Sequence, residues 1–305
     1  MKTDLLVTGG SGLVGNALKK FCPDAVFVDR KDADLTDLCQ VQNLFKKYRP
    51  QKVIHLAAKV AGVKTNAEKN ADMFGVNVQI NTNVLSTAQQ FHVEKLVGIL
   101  SSCTFEESPE KPPTEQDIHK KMPFAGHQGY AYSKRMLDIQ IHLLRQQYGC
   151  NFSSILPVTI IGPHDNWDYH ESHVAGALIH KCLLAQRQGT PLEVWGTGAS
   201  VRQFIYSQDV ARLLLEVLEN YHQSETLIVS SDQGTSIKTL AETIAEIIGF
   251  KGQLHFDPTQ PEGQKIRVLD YSKFKKIFPN FKFTPLTDAL KYTIEWFQQN
   301  KLDIK

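Results

Sequence analysis

Short apolar runs and longer stretches of helical period alternate along the first half of the chain. Leu5-Leu6-Val7, Ala25-Val26-Phe27-Val28, Val53-Ile54-His55-Leu56 and Leu96-Val97-Gly98-Ile99-Leu100 are nearly continuous apolar runs, and Ile155-Leu156 with its flanks is another. Such runs predict strands of a parallel sheet buried on both faces. The segments near 13–21, 36–48, 70–91 and 129–148 carry helical periodicity. Strand and helix in that alternation make βαβ units, so a doubly wound, Rossmann-like α/β domain is expected over 1–161.

After Gly162-Pro163 the pattern becomes irregular. Helices are predicted near 172–188, 207–221 and 236–248, with the turn-rich Trp195-Gly-Thr-Gly198 between the first two. A last amphipathic helix, about 286–300, places Leu290, Ile294 and Phe297 on one face. No internal repeat or low-complexity linker interrupts the chain. A smaller C-terminal substrate-binding lobe, 162–202 and 234–305, is therefore expected to pack directly on the first domain, with 203–233 returning to that domain.

Composition narrows the class. The 305 residues are 42% hydrophobic and 22% charged with a net charge of +2, so there is no basic excess or run suited to nucleic acid. No apolar run approaches a membrane span, and no charged segment followed by an apolar one opens the chain, so neither an anchor nor a leader is expected. The five cysteines, Cys22, Cys39, Cys103, Cys150 and Cys182, are odd in number and scattered. They read as reduced thiols in the cytoplasm rather than a disulfide framework or a zinc site.

Candidate chemistry begins at Thr8-Gly9-Gly10-Ser11-Gly12-Leu13-Val14-Gly15, which follows the first strand and opens a helix. Gly9-x-x-Gly12-x-x-Gly15 lets a turn tighten and lets backbone N–H groups reach a pyrophosphate at the helix start. The second strand ends in Val28-Asp29-Arg30-Lys31. An acid there suits the ribose 2′-hydroxyl of NAD and an arginine the 2′-phosphate of NADP; two cations beside one acid favour NADP(H). Asp34-Leu35 follows closely, either over the adenine or in a solvated loop.

Tyr130 and Lys134 are one helical turn apart in Gly129-Tyr-Ala-Tyr-Ser-Lys134. Beside a cofactor, such a pair can donate a proton, and the ammonium is expected to draw the phenol below its usual pKa of about 10. Alone the motif says little, because Tyr and Lys at this spacing are common on solvated helices.

With the glycine motif, a serine-rich end to the fourth strand and Tyr130-x-x-x-Lys134, the chain resembles the extended short-chain dehydrogenase/reductases. It is most similar there to the branch that epimerises C3 and C5 of GDP-4-keto-6-deoxy-mannose and then reduces C4. The matching segments are His55-Leu-Ala-Ala-Lys-Val60, Leu100-Ser-Ser-Cys103, Gly162-Pro-His-Asp-Asn166 with Ser172-His-Val174, Val194-Trp-Gly-Thr-Gly198 and Arg202-Gln-Phe204. The resemblance spans essentially the whole chain, and Ser101, Cys103 and His173 together narrow it. It implies that Ser101 hydrogen-bonds the 4-keto oxygen, Tyr130 donates the proton and Lys134 holds the nicotinamide ribose. Pro157 and His173 are implied at the cofactor, and Lys181, Trp195, Arg202 and Glu262 at the GDP-sugar.

Epimerisation needs a base to take a proton beside a carbonyl and an acid to return one on the opposite face. Cys103 suits the first task if a cation stands near it, and His173 the second. If the extended geometry of the fourth strand continues, positions 101 and 103 point the same way. His164, His170, His173 and His180 lack metal-ligand spacing, and the chemistry needs no metal. Lys181 and Glu262 stand where the family commonly has Arg and Asp. Val158-Thr159 after Pro157 departs from an expected Thr-Asn, which bears on substrate identity.

A nucleotide-sugar 4,6-dehydratase would need an acid pair where this chain has Ser102 and Cys103. A 4-epimerase would leave Cys103 idle. A non-catalytic NADP-binding scaffold is the reading from another class, which intact Ser101, Tyr130 and Lys134 oppose. A homodimer is implied through the helices near 76–92 and 129–148, whose apolar faces would serve a core equally well.

Overall fold

The apolar runs become β1 (Leu5–Thr8), β2 (Val26–Val28), β3 (Lys52–His55), β4 (Lys95–Ile99) and β5 (Phe152–Pro157). Between them run α1 (Leu13–Leu18), α2 (Leu38–Tyr48), α3 (Val63–Glu68), α4 (Asn70–Gln90) and α5 (Gln128–Tyr148). The computed structural model describes residues 3–106, 110–168, 172–231, 234–260 and 262–300. The second half continues with β6 (Thr159–Ile161), α6 (Val174–Gln188), β7 (Leu192–Trp195), β8 (Val201–Arg202), β9 (Phe204–Tyr206), α7 (Ser207–Asn220) and β10 (Leu227–Val229). It closes with β11 (Thr235–Ser236), α8 (Ile237–Ile248), β12 (Leu254–Asp257), β13 (Ile266–Arg267), α9 (Ser272–Ile277) and α10 (Leu286–Asn300).

Six strands form one parallel sheet in the order β10-β5-β4-β3-β1-β2. β4 and β5 are buried along their whole length, as continuous apolar runs require. α7 packs beside α1, and α4 packs between α2 and α5, so helices cover the sheet on both faces. The strand order reverses between β1 and β3, which opens a crevice at the carboxyl ends of those strands.

Local chemistry fixes the helix ends. α2 begins at Leu38 because the Asp37 carboxylate accepts from the N–H groups of Cys39 and Gln40. α6 begins at Val174 because His173 is still extended, at φ −69° and ψ 162°. α5 and α6 both end on a left-handed glycine, Gly149 and Gly189.

Two hydrophobic cores result. One joins the six-stranded sheet to its helices and takes in Leu269 and Phe274 from late in the chain. The other joins Ile161, Phe204 and Tyr206 to α6, α8 and α10, and there Leu290, Ile294 and Phe297 are buried as the periodicity of α10 requires. The short strands around this second core were not foreseen. β7 pairs with β12, β6 with β9, and β8 lies between β11 and β13. Two- and three-residue strands carry too little periodicity to be read from sequence.

The position of α5 depends on Gly129. Its N–H donates to the Asn70 side chain at 2.8 Å. A Cβ at this position would lie 1.9 Å from the Asn70 carbonyl oxygen, so only glycine lets α5 approach the start of α4. Gly129→Ala should therefore destabilise the fold by roughly 1–3 kcal/mol through overpacking. Urea titration checks this; an unchanged midpoint would contradict the packing.

Candidate active site

The crevice between β1 and β3 is floored by the glycine loop. Gly9 has φ +74°, and a Cβ there would sit 2.9 Å from the Ala57 nitrogen of the loop after β3. Gly10 N–H is tied to the Val28 carbonyl at 2.9 Å, joining the loop to the end of β2. Gly12 caps α1 with no side-chain hydrogen bond and no acid in the first turn. Helix-start N–H groups presented this way fit a pyrophosphate, whose charge the helix dipole favours. Ser11 is exposed at the loop, Leu13 half-buried and Val14 buried in the core behind it.

Beyond β2, the acid and the cation have separate tasks. Asp29 accepts from Lys31 N–H at 2.8 Å and shapes its own turn, whereas Arg30 is exposed at the end of the strand. Asp34 accepts from the Thr36 N–H and hydroxyl at 3.0 and 2.8 Å. Those bonds, with Arg30 nearby, hold its carboxyl below the usual range. Leu35 is half-buried, and its carbonyl accepts from Asn83 of α4 at 3.0 Å. Pro157 ends β5, at the same edge of the sheet.

Tyr130 and Lys134 occupy one face of α5, the ammonium 5.6 Å from the phenol ring centre. Lys134 is 2% exposed and donates to the Ile99 carbonyl at the end of β4, at 2.8 Å. Burial lowers its pKa to about 8. The phenol departs from the sequence expectation: burial, with Cys103 beside it, pushes its pKa up rather than down. The ammonium is directed at the Ile99 carbonyl and leaves the burial penalty on the phenol uncompensated. Tyr130 thus holds its proton at neutral pH, as a donor must.

A buried network fixes the base of this pair. The His55 Nδ1 and the Thr8 hydroxyl are 2.8 Å apart, and Nε2 is 3.1 Å from the Asn81 oxygen. Asn81 in turn donates to the Ser133 carbonyl of α5 at 3.2 Å. Burial and the nearby Lys134 charge lower the His55 pKa to about 4.

Ser101 and Cys103 come together by a route that strand alternation does not predict. β4 ends at Ile99; Ser101 is extended, and Ser102–Thr104 form a tight 3-10 turn. The Ser101 hydroxyl accepts from Cys103 N–H at 3.3 Å and keeps its own proton to donate. Arg135 of α5 holds this turn through the Thr104 carbonyl, at 3.1 Å from Nε. The Cys103 sulfur meets Arg267 of β13, whose Nη1 donates at 3.6 Å.

The remaining predicted residues lie on or beside α6, β7, β8 and the segment before β13. Arg202 is buried and donates to the Val201 carbonyl at 2.8 Å; burial and neighbouring Arg267 bring its pKa down to about 10. Lys181 lies 4.3 Å from the centre of the Trp195 ring, and Trp195 is 46% exposed. Glu262 accepts from the Thr197 hydroxyl at 2.7 Å, which holds its carboxyl below the usual range. His173 stands at the start of α6; the surrounding walls and Arg267 push its pKa down.

Two residues of this site were missed from sequence. His127 stands three residues before Tyr130 and is depressed to about pKa 4 by burial, Arg267, His173 and Arg202. Its helical spacing from Tyr130 was a usable signal. Arg267 had none, because a two-residue strand brings it in from far along the chain. His170 lies outside the described residues, and among the described residues no group of three or more His, Cys, Asp or Glu could hold a metal ion.

A glycine loop at the switch point, sharing its crevice with Tyr130 and Lys134, places the molecule among the doubly wound α/β enzymes that work on a bound dinucleotide. Residues 5–229 match the model of the NAD dependent epimerase/dehydratase family, and the chain belongs to that family. It is 39% identical to the GDP-L-fucose synthase of Dictyostelium discoideum over 98% of this chain and 96% of that protein. To the GDP-L-fucose synthase of Escherichia coli K12 it is 29% identical, over 98% of each. A GDP-L-fucose synthetase from Naegleria fowleri, solved bound to NADP, superposes with a TM-score of 0.94 at 36% identity, over 99% of this chain and 94% of that one.

His55 gives the site a pH-dependent stability. Above pH 6.5 folded and unfolded chains both hold a neutral imidazole. As the pH falls from there towards about 4, the unfolded chain takes the proton first, so this stabilisation is progressively lost. The advantage of the wild-type chain over His55→Gln should shrink by ~3 kcal/mol between neutral pH and about pH 4. Denaturant titrations of both across that range check it; a constant advantage would mean that the histidine is not held neutral.

Proposed function

We propose that the chain is a bifunctional GDP-L-fucose synthase, converting GDP-4-keto-6-deoxy-D-mannose to GDP-L-fucose by 3,5-epimerisation and 4-reduction with NADPH. The observation that carries the reading is the meeting of Cys103, Tyr130 and the Arg202–Arg267 pair in one crevice. Full-length similarity to proteins named for this activity supports it. The fit of Gly9 to the turn and the exposure of Arg30 support NADP(H) as cofactor.

In this reading NADPH, when bound, supplies the hydride for C4. Cys103, as thiolate, takes the proton from C5 or C3: an S–H bond forms, the C–H bond breaks, and the electron pair moves onto the 4-keto oxygen as an enolate. His173 returns a proton from the opposite face. Ser101 donates to the keto oxygen throughout, and Tyr130 gives its proton to that oxygen as C4 is reduced. Lys134 would hold the nicotinamide ribose, and Pro157 and His173 would contribute to the nicotinamide site. Gly9, Gly10, Ser11, Gly12, Leu13, Val14 and Gly15 would hold the pyrophosphate, and Arg30, Asp34 and Leu35 the adenosine. Lys181, Trp195, Arg202 and Glu262 take the GDP-sugar, in a lobe made of 162–202 and 234–305.

Arginine forks suit a diphosphate, and Trp195 under Lys181 offers a flat surface to a base. The five free thiols fit a reducing cytoplasmic setting. No described helix is long and apolar enough to cross a membrane. Pairing of two copies through α4 and α5 belongs to the same reading; Phe74, Leu143 and Tyr148 are exposed apolar side chains on these helices.

Tyr130→Phe should nearly abolish reduction and leave epimerisation intact, seen as solvent deuterium entering C3 and C5. Near-wild-type NADPH oxidation by this variant would remove Tyr130 as donor. Cys103→Ser should slow that deuterium exchange by ~10²–10⁴-fold, the usual worth of a general base, with NADPH affinity hardly changed. Exchange at the wild-type rate would make Cys103 a packed thiol. Arg30→Ala should weaken NADPH more than NADH, since only NADPH carries the 2′-phosphate; equal losses would overturn the assignment.

A further inference from the structure

Arg267 is the guanidinium that stands against the Cys103 sulfur, at 3.6 Å from Nη1. Its other terminal nitrogen, Nη2, donates to the Thr159 hydroxyl at 3.2 Å. The fork therefore bridges two elements distant in sequence: the 3-10 turn after β4 and the first residue of β6. Its own strand, β13, pairs in parallel with β8, with Arg267 opposite Arg202. That register sets two guanidinium groups side by side; burial, and after it the Arg267 charge, lowers the pKa of Arg202. A guanidinium so placed has a reason to turn towards any available acceptor. Thr159 supplies a neutral one and the Cys103 sulfur the other.

We propose that Arg267 is the positioning residue that makes the Cys103 sulfur a base, and that the Thr159 hydroxyl aims the guanidinium at it. The proposal rests on the reading of Cys103 as the epimerisation base and adds the cation that role needs. Loss of the thiol proton to solvent leaves a thiolate, which the adjacent guanidinium stabilises through a charge-assisted hydrogen bond. The thiolate then takes the carbon-bound proton, and the thiol is restored.

Among the other groups around the crevice, Tyr130 is neutral and holds its proton, and burial disfavours protonation of His127. Arg202 is near enough for its charge to feel Cys103 as well as Glu262, but it directs Nη1 to the Val201 carbonyl at 2.8 Å, whereas Arg267 donates to the sulfur itself. Thr159 also gains a meaning. The position is a departure from the asparagine expected there, and its hydroxyl accepts from Nη2 where a hydrocarbon would leave that nitrogen without this acceptor.

The test uses the thiol itself. Wild type, Arg267→Met, Arg267→Lys and Thr159→Val are treated with iodoacetamide at one pH near neutral, without substrate, and alkylation is followed peptide by peptide. Cys103 should react more slowly in Arg267→Met, on the order of tenfold, because the thiolate is the reacting form. Thr159→Val should slow it by roughly two- to threefold by loosening the fork, and Arg267→Lys should recover part of the rate by keeping a cation. Exposed Cys39 is the internal control and should react equally in all four.

Deuterium exchange into saturating GDP-4-keto-6-deoxy-D-mannose should fall in parallel with alkylation, with a smaller change in KM. Wild-type alkylation of Cys103 in both Arg267→Met and Thr159→Val overturns the proposal, and a raised KM beside it assigns Arg267 to substrate binding instead. If Cys103 alkylation falls as expected but the wild-type chain exchanges no deuterium, the pairing is supported and the epimerase reading fails.

Discussion

The structure turns on a buried ammonium. Lys134 enters the end of the sheet at 2% exposure, and its hydrogen bond goes to the last carbonyl of β4. A charge held there is costly unless its surroundings answer it, so the neighbourhood is constrained. Burial and that charge keep His55 neutral beside it, and a chain of hydrogen bonds through Thr8 and Asn81 to the Ser133 carbonyl holds the ring in place. That chain links β1, β3, α4 and α5, the elements that flank the crevice. Tyr130 is thereby fixed on the one face of α5 that looks along the carboxyl edge of the sheet. Gly129 sets how closely α5 meets α4, and so how far the phenol reaches.

A second charge arrangement closes the crevice from the other core. Arg202 and Arg267 lie in register on β8 and β13, with His127 and His173 near enough to feel Arg267. Both histidines are held below their ordinary pKa, by burial first and by the cations next. Two guanidinium groups side by side favour an anionic ligand. Proton donor, sulfur and cations thus sit on elements from both cores. That division of labour suits a substrate with a diphosphate at one end and a reactive ketone at the other.

Much of this was legible in the residues. Continuous apolar runs marked the five strands from β1 to β5, because strands buried on both faces leave no polar alternation. α4, α5 and α10 were legible because long helices repeat their face several times. Gly9 to Gly15, Tyr130 and Lys134 were legible because their chemistry is local, within one turn of a loop or helix. Arg267 was not, since its place depends on a two-residue strand pairing across the chain. The joint placement of Ser101 and Cys103 was expected for the wrong reason, since a 3-10 turn brings them together where a strand was foreseen. The phenol moved against expectation because desolvation outweighs a cation directed at a backbone carbonyl. Where the ammonium points depends on where β4 ends, which spacing within α5 does not reveal.

The central claim is that one crevice both exchanges protons at two carbons and reduces the carbon between them. Incubating the purified chain with GDP-4-keto-6-deoxy-D-mannose and NADPH in deuterated water tests it most directly, with the product read by NMR. The account predicts GDP-L-fucose carrying solvent deuterium at C3 and C5, with one NADPH oxidised per product. A reduced sugar nucleotide with protium at both carbons, or an epimerised ketone formed without NADPH consumption, would contradict it.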